Sequence, residues 1–226
     1  MTEVICFGES RPCVLRGTRL DADCAPLTGP TDGIILAAIA DIALTPEMKE
    51  ATFLEPEDAC GNVVFVTENP ARVKRYSATI NLIVIGHEAR ELLTDGTLIV
   101  GDVSSPWAGD SIGHAAPGLR TPVKPGVGLE FWTQVTADGA SGPCAADPDT
   151  PNWERHVLPR ATLHEAARTF NGEVSNFTFE GTVFANPAFG DPYNDFPGVT
   201  VPTDSPHYDF FDVAPPDAVC GYVTGS

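Results

Sequence analysis

Apolar and polar residues alternate most clearly between residues 72 and 85, and this alternation predicts one long β-strand. The apolar positions repeat every second residue, as in a strand with one buried face. They are Tyr76, Ala78, Ile80, Leu82 and Val84. We therefore expect this segment to lie in the main sheet of the protein.

A short helix is predicted directly after this strand. Gly86 breaks the alternation, and residues 87–93 are good helix formers. Ala89, Leu92 and Leu93 fall on one side of such a helix, so that side is expected to be buried. The pattern predicts a long strand that leads into a short helix covering a sheet.

Runs of similar period predict further strands. The alanine-rich run at 33–46 also suits a helix, but Gly33 and Pro46 bracket it and favour a strand. A strand at 62–67 is expected to form a hairpin with the strand at 72–85. Other strands are predicted at residues 126–138 and 174–185, with a short apolar run at 97–100 and residues 47–61 as a connection.

Two segments depart from simple alternation. Residues 104–125 contain four prolines and are predicted to form a long irregular loop that carries Trp107, Asp110 and His114. A His near an Asp suits a general base, although such a residue is more often an ordinary surface His. Pro159 rules out an undisturbed central strand or helix around it.

The composition changes towards the C-terminus. No Lys or Arg follows Arg168, and acidic residues are interspersed with aromatic ones such as Phe210 and Phe211. The aromatic residues argue against a free disordered tail. We divide the chain into a β domain at 1–190 and an acidic, proline-rich C-terminal arm at 191–226, which lies over its own domain or a neighbour. The predicted fold is mainly β, a β-sandwich or barrel flanked by one short α-helix, with long loops and this extended arm.

Length and charge narrow the function. A chain of 226 residues, 42% of them hydrophobic, suffices for one large β-rich domain. The formal net charge of −18 disfavours a nucleic-acid-binding surface and an anionic membrane as partners. A negative charge of this size suits the surface of a channel through which DNA passes without binding. No apolar run approaches the roughly 18 residues needed to span a bilayer, and the first ten residues do not resemble a signal peptide.

The cysteines permit two interpretations. Their even number allows a set of disulfides, whereas free thiols that behave as small apolar residues are the alternative. Because no secretion signal precedes them, we expect reduced thiols. They are Cys6, Cys13, Cys24, Cys60, Cys144 and Cys220, and no two form a CxxC pair.

The sequence lacks the common phosphate-binding and zinc-protease motifs. There is no GxGxxG, GxxxxGK[ST] or HExxH, and the five histidines show no zinc-ligand spacing with the cysteines. Residues 147–149 and 191–195 carry oxygen atoms that suit calcium, but neither forms a full EF-hand loop. We therefore expect a protein that is not an enzyme and has no cofactor.

Charged and aromatic residues are candidates for contacts between subunits. In residues 13–30, Arg16, Arg19 and Asp21 surround a predicted turn at Gly17. Their spacing favours a solvated loop with local ion pairs; the alternative is a contact in which an Arg pairs with a neighbour's carboxylate. The full set of candidates is Arg16, Arg19, Asp21, Arg75, Trp107, Phe210 and Phe211.

Four parts of the chain carry a family resemblance: VLRGTRLD at 14–21 with Cys24 and Pro26, the mid-chain strand and helix, LEFWT at 129–133, and VLP at 157–159 ahead of a late strand at 175–182. In these parts, the chain resembles the major tail proteins, the tail-tube subunits, of long-tailed phages of actinobacteria. The likeness covers about residues 10 to 190. The chain differs in reading Asp-Ala-Asp-Cys at 21–24, where that family tends to read Asp-Ala-Cys-Gly, and in its acidic C-terminal arm.

The resemblance implies a β-sandwich flanked by a helix, with six copies to a ring and rings stacked into the hollow tube of a virion tail. Such a tube is assembled in the host cytoplasm together with other tail proteins. DNA passes through it without sequence-specific binding, and an acidic bore would repel phosphate. Long loops and the C-terminal arm would reach the next subunit, and the strand at 72–85 would pair across subunits.

Two other classes of function stay open. A carbohydrate- or calcium-binding β-sandwich module, as in a virion decoration or adhesin domain, would use exposed aromatics such as Trp107 and Trp153. A hydrolase would use acidic residues. A tube subunit polymerises, whereas a binding module stays monomeric and melts at a ligand-dependent temperature. An enzyme has a concave pocket with perturbed titrating groups.

Overall fold

A computed structural model describes residues 12–56, 63, 66–134, 153–168, 176–193, 200–212, 215–217 and 222–223. These residues form thirteen strands and one helix. In chain order they are β1 (Pro12–Arg19), β2 (Gly33–Leu36), β3 (Ile39–Lys49), β4 (Thr52–Leu54), β5 (Thr67–Asn69), β6 (Arg72–Leu82), α1 (His87–Leu93), β7 (Thr97–Val100), β8 (Ser111–Ala115), β9 (Val127–Gln134), β10 (Trp153–Glu165), β11 (Phe177–Phe184), β12 (Tyr208–Asp212) and β13 (Tyr222–Val223).

The main sheet is antiparallel and follows the order β13-β2-β1-β9-β10-β11-β6-β3, with β12 paired to β10. Two short two-stranded sheets, β4–β5 and β7–β8, stand beside it. The prediction of a mainly β protein with one short helix is confirmed. Residues 1–11 lie outside the described part.

The main sheet closes on itself like a barrel. β1 and β3 are five places apart in the sheet order, which is about 24 Å in a flat sheet with strands ~4.8 Å apart. Their Cα atoms nevertheless approach within 8 Å. The strong twist that brings them together encloses an apolar core between the strands and α1.

Side chains from alternate positions of the strands fill this core. Ala78, Ile80 and Leu82 of β6 are buried as the alternation predicted, and so is the predicted apolar side of α1. β6 ends at Leu82, however, so Val84 is exposed rather than buried. The other core residues include Leu15, Ile34, Val127, Leu129, Phe131, Leu158, Ala161, Leu163, Phe179 and Val183.

The C-terminal segment covers the outer surface of the sheet. Phe189 and Tyr208 are buried there against Leu20 and Val157, and Phe210 packs beside them. β12 pairs with β10, and β13 pairs with β2. The segment therefore packs on its own chain and contributes strands to the main sheet.

Several sequence predictions are corrected by the pairing. Residues 12–19 form strand β1 between β2 and β9, and Gly17 lies within it rather than at a turn. The run at 33–46 is split into β2 and β3, and Pro46 lies inside β3. β3 ends the sheet order, and such an edge position tolerates a residue without an N–H.

The hairpin predicted between the strands at 62–67 and 72–85 was also wrong, because each segment pairs with a different strand. β6 pairs with β3 and β11, whereas Thr67–Asn69 pairs with Thr52–Leu54. β6 is thus an interior strand, not an edge open to another subunit. The predicted connection at 47–61 contains the end of β3 and all of β4, and residues 57–62 and 64–65 lie outside the described part.

Pro159 lies inside β10, the longest strand of the described chain. Before it, Trp153–Val157 pairs with β12; after it, Arg160–Glu165 pairs with β11. On the other side of β10, the register with β9 shifts between Leu158 and Ala161. The strand is central but disturbed, because proline cannot donate a ladder hydrogen bond.

Candidate assembly surfaces

The long pair of strands β3 and β6 extends beyond the barrel and ends in the β4–β5 hairpin. Every residue of β4 and β5 is exposed, and so are Met48 and Lys49 of β3 and residues 72–74 of β6. We call the described residues of this extension, 46–56, 63 and 66–73, the arm, as distinct from the C-terminal arm at 191–226. Its β4 and β5 strands are in contact with solvent.

The arm carries many exposed apolar side chains. Phe53 and Leu54 are each more than half exposed, at 56% and 52% of their accessible area. Monomeric proteins rarely expose apolar patches of this kind without a partner. The exposed apolar residues of the arm are Met48, Phe53, Leu54, Val63, Val66 and Val73.

The base of the arm is held by charged residues. Arg75 Nε donates a hydrogen bond of 2.5 Å to Glu47 Oε2, and Ser77 Oγ donates one of 2.7 Å to Glu47 Oε1. These hydrogen bonds, first that of Ser77 and then that of Arg75, lower the pKa of Glu47. Lys49 and Lys74 stay exposed beside them. Arg75, predicted to contact another subunit, is thus paired within its own hairpin.

A second apolar surface lies on the β7–β8 hairpin, which packs on α1. Ser111 Oγ donates a hydrogen bond to Glu88 of α1 and thereby fastens the hairpin to the helix. Trp107, in the turn between β7 and β8, is 59% exposed. We call this surface the helix-end patch; its exposed apolar residues are Ile99, Val100, Val103, Trp107 and Ile112.

The predicted loop at 104–125 therefore contains a strand, β8. His114 on that strand approaches Thr94 Oγ1 at 3.4 Å and pairs with Leu98 across the hairpin. Burial, followed by the charge of Arg90, lowers the pKa of His114. Asp110 instead makes backbone hydrogen bonds with Gly101 and Trp107 that close the turn. The geometry does not place a carboxylate of Asp110 on His114 as a catalytic pair requires.

Glu91 of α1 joins three distant segments. It accepts hydrogen bonds from Arg19 at 2.6 Å, Lys124 at 2.8 Å and the Tyr222 hydroxyl at 2.9 Å. Burial raises the pKa of Glu91, but the hydrogen bonds from Arg19 and Lys124 outweigh it and lower the pKa to about 2. Burial and the bond to Glu91 raise the pKa of Tyr222. Arg19 also lies 3.2 Å from Asp32, so this candidate is engaged inside the chain.

Arg16 belongs to a buried ionic triad on the face of the main sheet that points away from the apolar core. Its Nε lies 2.6 Å from Glu130 Oε2, and Arg155 Nε donates a 3.0 Å hydrogen bond to Glu130 Oε1. Glu130 and Arg155 are fully buried and Arg16 is 4% exposed. Arg16 lies in the interior of the chain and not on its surface.

Aromatic residues of the C-terminal segment cover this triad. The Arg16 guanidinium carbon lies 3.8 Å from the centroid of the Tyr193 ring, and that of Arg155 lies 5.5 Å from the Phe210 ring. Tyr193 also hydrogen-bonds through its hydroxyl to Thr18 at 2.9 Å. Cation–π contacts of this kind are stronger where water is excluded. Because its ring lies over Arg155 of the same chain, Phe210 is engaged within the chain and not free for the predicted contact between subunits.

The last two candidates for subunit contacts, Asp21 and Phe211, are engaged within their own chain. Asp21 Oδ1 accepts hydrogen bonds from the amides of Asp23 and Ala25 and so stabilises a turn in which Cys24 adopts a positive φ of 63°. Phe211 pairs through its backbone with Glu154 in the β10–β12 ladder; its side chain lies outside the described part. Of the seven candidates, Trp107 is placed on an exposed apolar surface.

A cavity of about 380 Å³ lies between β1, β3, β6, β9 and β10. His156 stacks on Phe131 at 4.5 Å between ring centroids, and His207 stacks on His156 at 5.7 Å. Burial and then the neighbouring His207 lower the pKa of His156 to about 4. At pH 7 its ring is neutral and packs as an aromatic group. The remaining lining residues are Pro12, Ile42, Leu44, Tyr76 and Thr133.

Sequence patterns missed the arm, Glu91 and Glu130. A single acidic residue in the apolar run LEFWT at 129–133 was the available signal for a buried ion pair. The exposed apolar residues of the arm look like ordinary strand residues in the sequence, because alternation does not show how far a hairpin extends beyond its sheet.

The calcium candidate at 147–149 lies outside the described residues, and the one at 191–195 is described only to Tyr193. Among the described residues, no cluster of three or more potential metal ligands occurs. In the same part of the chain, no helix is long and apolar enough to cross a membrane. Neither a protein-family model nor a curated protein sequence matches this chain.

Proposed function

We propose that this protein is a structural subunit that assembles with copies of itself into stacked hexameric rings, forming the tube of a phage tail. The observation that carries the proposal is the arm, an extended hairpin that reaches beyond the barrel and exposes apolar side chains. An isolated two-stranded hairpin is at best marginally stable in water. A neighbouring subunit that covers the arm would supply the missing burial.

The remaining features agree with this role. The interior charged groups are paired with one another, and the His156 and His207 rings are stacked in packing contacts. The net charge of −18 gives a surface that repels phosphate, so DNA passes along it without being held. The resemblance of residues 10–190 to tail-tube subunits points to the same architecture, with other tail proteins as partners at the ends of the tube.

The binding-module alternative has less support. It needs exposed aromatic residues at one site, but Trp153 packs with Val14, Ile35 and Trp132, whereas Trp107 lies on the helix-end patch. Trp153 is thus part of the packing of the outer sheet surface, and the proposed pair of site residues is divided between two surfaces.

Negative-stain electron microscopy of the purified protein, at low and at high concentration, tests the proposal. We expect hollow striated tubes, or rings with six-fold symmetry that become longer stacks as the concentration rises. Uniform small particles at every concentration would contradict the proposal and favour a monomeric binding module. A ligand-dependent shift in melting temperature would then identify that module.

A further inference from the structure

A stack of rings joins the C-terminal segment to the barrel. The His156 ring of β10 lies between the rings of Phe131 and His207 and is nearly parallel to both, with interplanar angles of 14° and 13°. Tyr76 of β6 contacts His207 edge-on, at 5.7 Å between ring centroids. Because His207 directly precedes β12, this stack connects the start of β12 to the side chains of β6, β9 and β10.

β12 is held on both faces of the sheet. Tyr208 is buried against Val157 on the face that points away from the apolar core. His207, one position earlier, lies on the opposite face, as neighbouring residues of a strand do, and stacks on His156 there. Among the described strands, β12 pairs with β10. The contact between the two histidines is therefore an attachment of β12 on the cavity side.

The groups around His156 come from every element packed against it. Its Nε2 lies 3.1 Å from Thr133 Oγ1 of β9 and 3.7 Å from Glu154 Oε2 of β10. Asp209 of β12 is the ladder partner of His156 and is exposed, and Tyr76 is the titratable group that β6 contributes to the cavity. The cavity residues from β1 and β3 do not titrate; they are Pro12, Ile42 and Leu44.

A proton on His156 would place a charge where water hardly reaches, since the residue is 4% exposed. Burial and then the neighbouring His207 lower its pKa, and these effects outweigh Asp209, which raises it. Protonation therefore favours any conformation in which the ring reaches water. Phe131 on one side belongs to the apolar core, so movement of His207 on the other side gives that access.

From this arrangement we infer that the His156–His207 stack is an acid-sensitive latch, which holds β12 on β10 at neutral pH and lets β12 leave when the stack is protonated. The inference does not depend on the proposed function. Release of β12 leaves the ladder groups of Trp153–Val157 on that side without their partners. An open strand edge of this kind can pair with another strand.

The direction of the pH effect follows from the pKa of His156, which lies at about 4 in the folded chain and below the ordinary value of 6.5. The latch is complete above pH 6.5 and weakens as the pH falls towards 4, because the released ring binds the proton more tightly. If the ring regains its ordinary pKa on release, the equilibrium shifts about 20-fold towards released β12 between pH 7 and pH 5. A pH of 5 stays above the isoelectric point of about 4.4, near which proteins precipitate.

Hydrogen exchange of the full chain, followed by mass spectrometry at pH 7 and pH 5, measures this release. Each rate is corrected for the intrinsic effect of pH, and residues 208–212 are compared with residues 76–82 of the interior strand β6. We expect the protection of 208–212 to fall about 20-fold relative to that of β6. An unchanged ratio, or an equal loss of protection along the whole chain, would overturn the inference.

Two variants show whether the histidines cause the response. His156→Phe and His207→Phe each keep an aromatic ring that cannot be protonated, and His207→Phe also leaves the contact of His156 with Thr133 in place. We expect the relative loss of protection to shrink to less than about threefold in both. His164→Phe is the matched control, since His164 is exposed on the same strand, and it should respond like the original chain. If both variants also respond like the original chain, carboxylates such as Glu154 and Asp209 cause the release and the latch is overturned.

Discussion

Glu91 shows how a single carboxylate fixes the relative positions of several elements. Its partners come from β1, from the segment before β9 and from β13. Lys124 extends this network, because its Nζ also donates hydrogen bonds to the carbonyl oxygens of Glu91, Thr94 and Gly96. The carbonyl groups of Glu91 and Thr94 lie at the C-terminal end of α1, where a cation is favoured by the helix dipole.

Glu91→Gln should destabilise the fold at pH 7 by about 2 kcal/mol, since it removes charge-assisted hydrogen bonds. The pKa of Glu91 falls from 4.5 to about 2 on folding, so its contribution is complete above pH 4.5 and is lost as the pH falls towards 2. Urea denaturation at pH 7, 4 and 2 measures this, with the exposed Glu180→Gln as control. If the unfolding free energies of the variant and the original chain differ by the same amount at all three pH values, the Glu91 carboxylate does not make this contribution.

The buried triad gives a second prediction at this scale. Glu130→Gln leaves two buried guanidinium groups without this carboxylate, and we expect a loss of about 3–5 kcal/mol. Replacing all three residues, as Arg16→Met, Glu130→Leu and Arg155→Met, should restore most of the loss, because a buried ion pair is roughly equivalent to well-packed apolar residues. Chemical denaturation of both variants measures the difference; a triple variant less stable than Glu130→Gln would contradict this.

At the scale of elements, local alternation predicted the strands that have one apolar face. β6, β9 and β11 were each found in this way, and α1 followed from its helix formers and its apolar side. β1 was missed because its outer face carries Arg16 and Thr18, which look solvated in the sequence. Their partners, Glu130 and Tyr193, are 114 and 175 positions away, and local pattern carries no information about them.

The C-terminal segment is anchored by a close contact between Gly128 of β9 and Phe189. A Cβ atom at Gly128 would lie 2.0 Å from Cε2 of Phe189, so no side chain fits while the ring is in place. We expect Gly128→Ala to destabilise the fold by about 1–3 kcal/mol through overpacking, and Phe189→Ala by about 3–5 kcal/mol.

The double variant tests whether these two effects share one cause. The space left by Phe189→Ala accommodates the added methyl group, so we expect the double variant to be more stable than the sum of the single changes by at least about 1 kcal/mol. Thermal unfolding of the four proteins measures this coupling. Strict additivity would show that Gly128 acts through the backbone and not through Phe189.

At the scale of the whole molecule, the net charge of −18 opposes the association of copies. The Debye length falls from about 30 Å at 0.01 M salt to about 10 Å at 0.1 M, so added salt screens this repulsion while leaving apolar contacts intact. We expect the protein concentration at which polymers appear to fall roughly tenfold over that range, equivalent to ~1.4 kcal/mol. Sedimentation measures it. A rise with salt would mean that ion pairs of the arm outweigh the overall repulsion.

The pairing of β1 with β9 also determines how late in synthesis the barrel can form. Arg16 and Glu130 are 114 positions apart, and at ~5–20 residues per second the ribosome needs roughly 6 to 23 s to make that stretch. The β3–β6 hairpin needs only neighbouring residues, and hairpins form within about 10 μs. All residues of the arm are therefore synthesised seconds before the chain has a barrel against which the arm can be held.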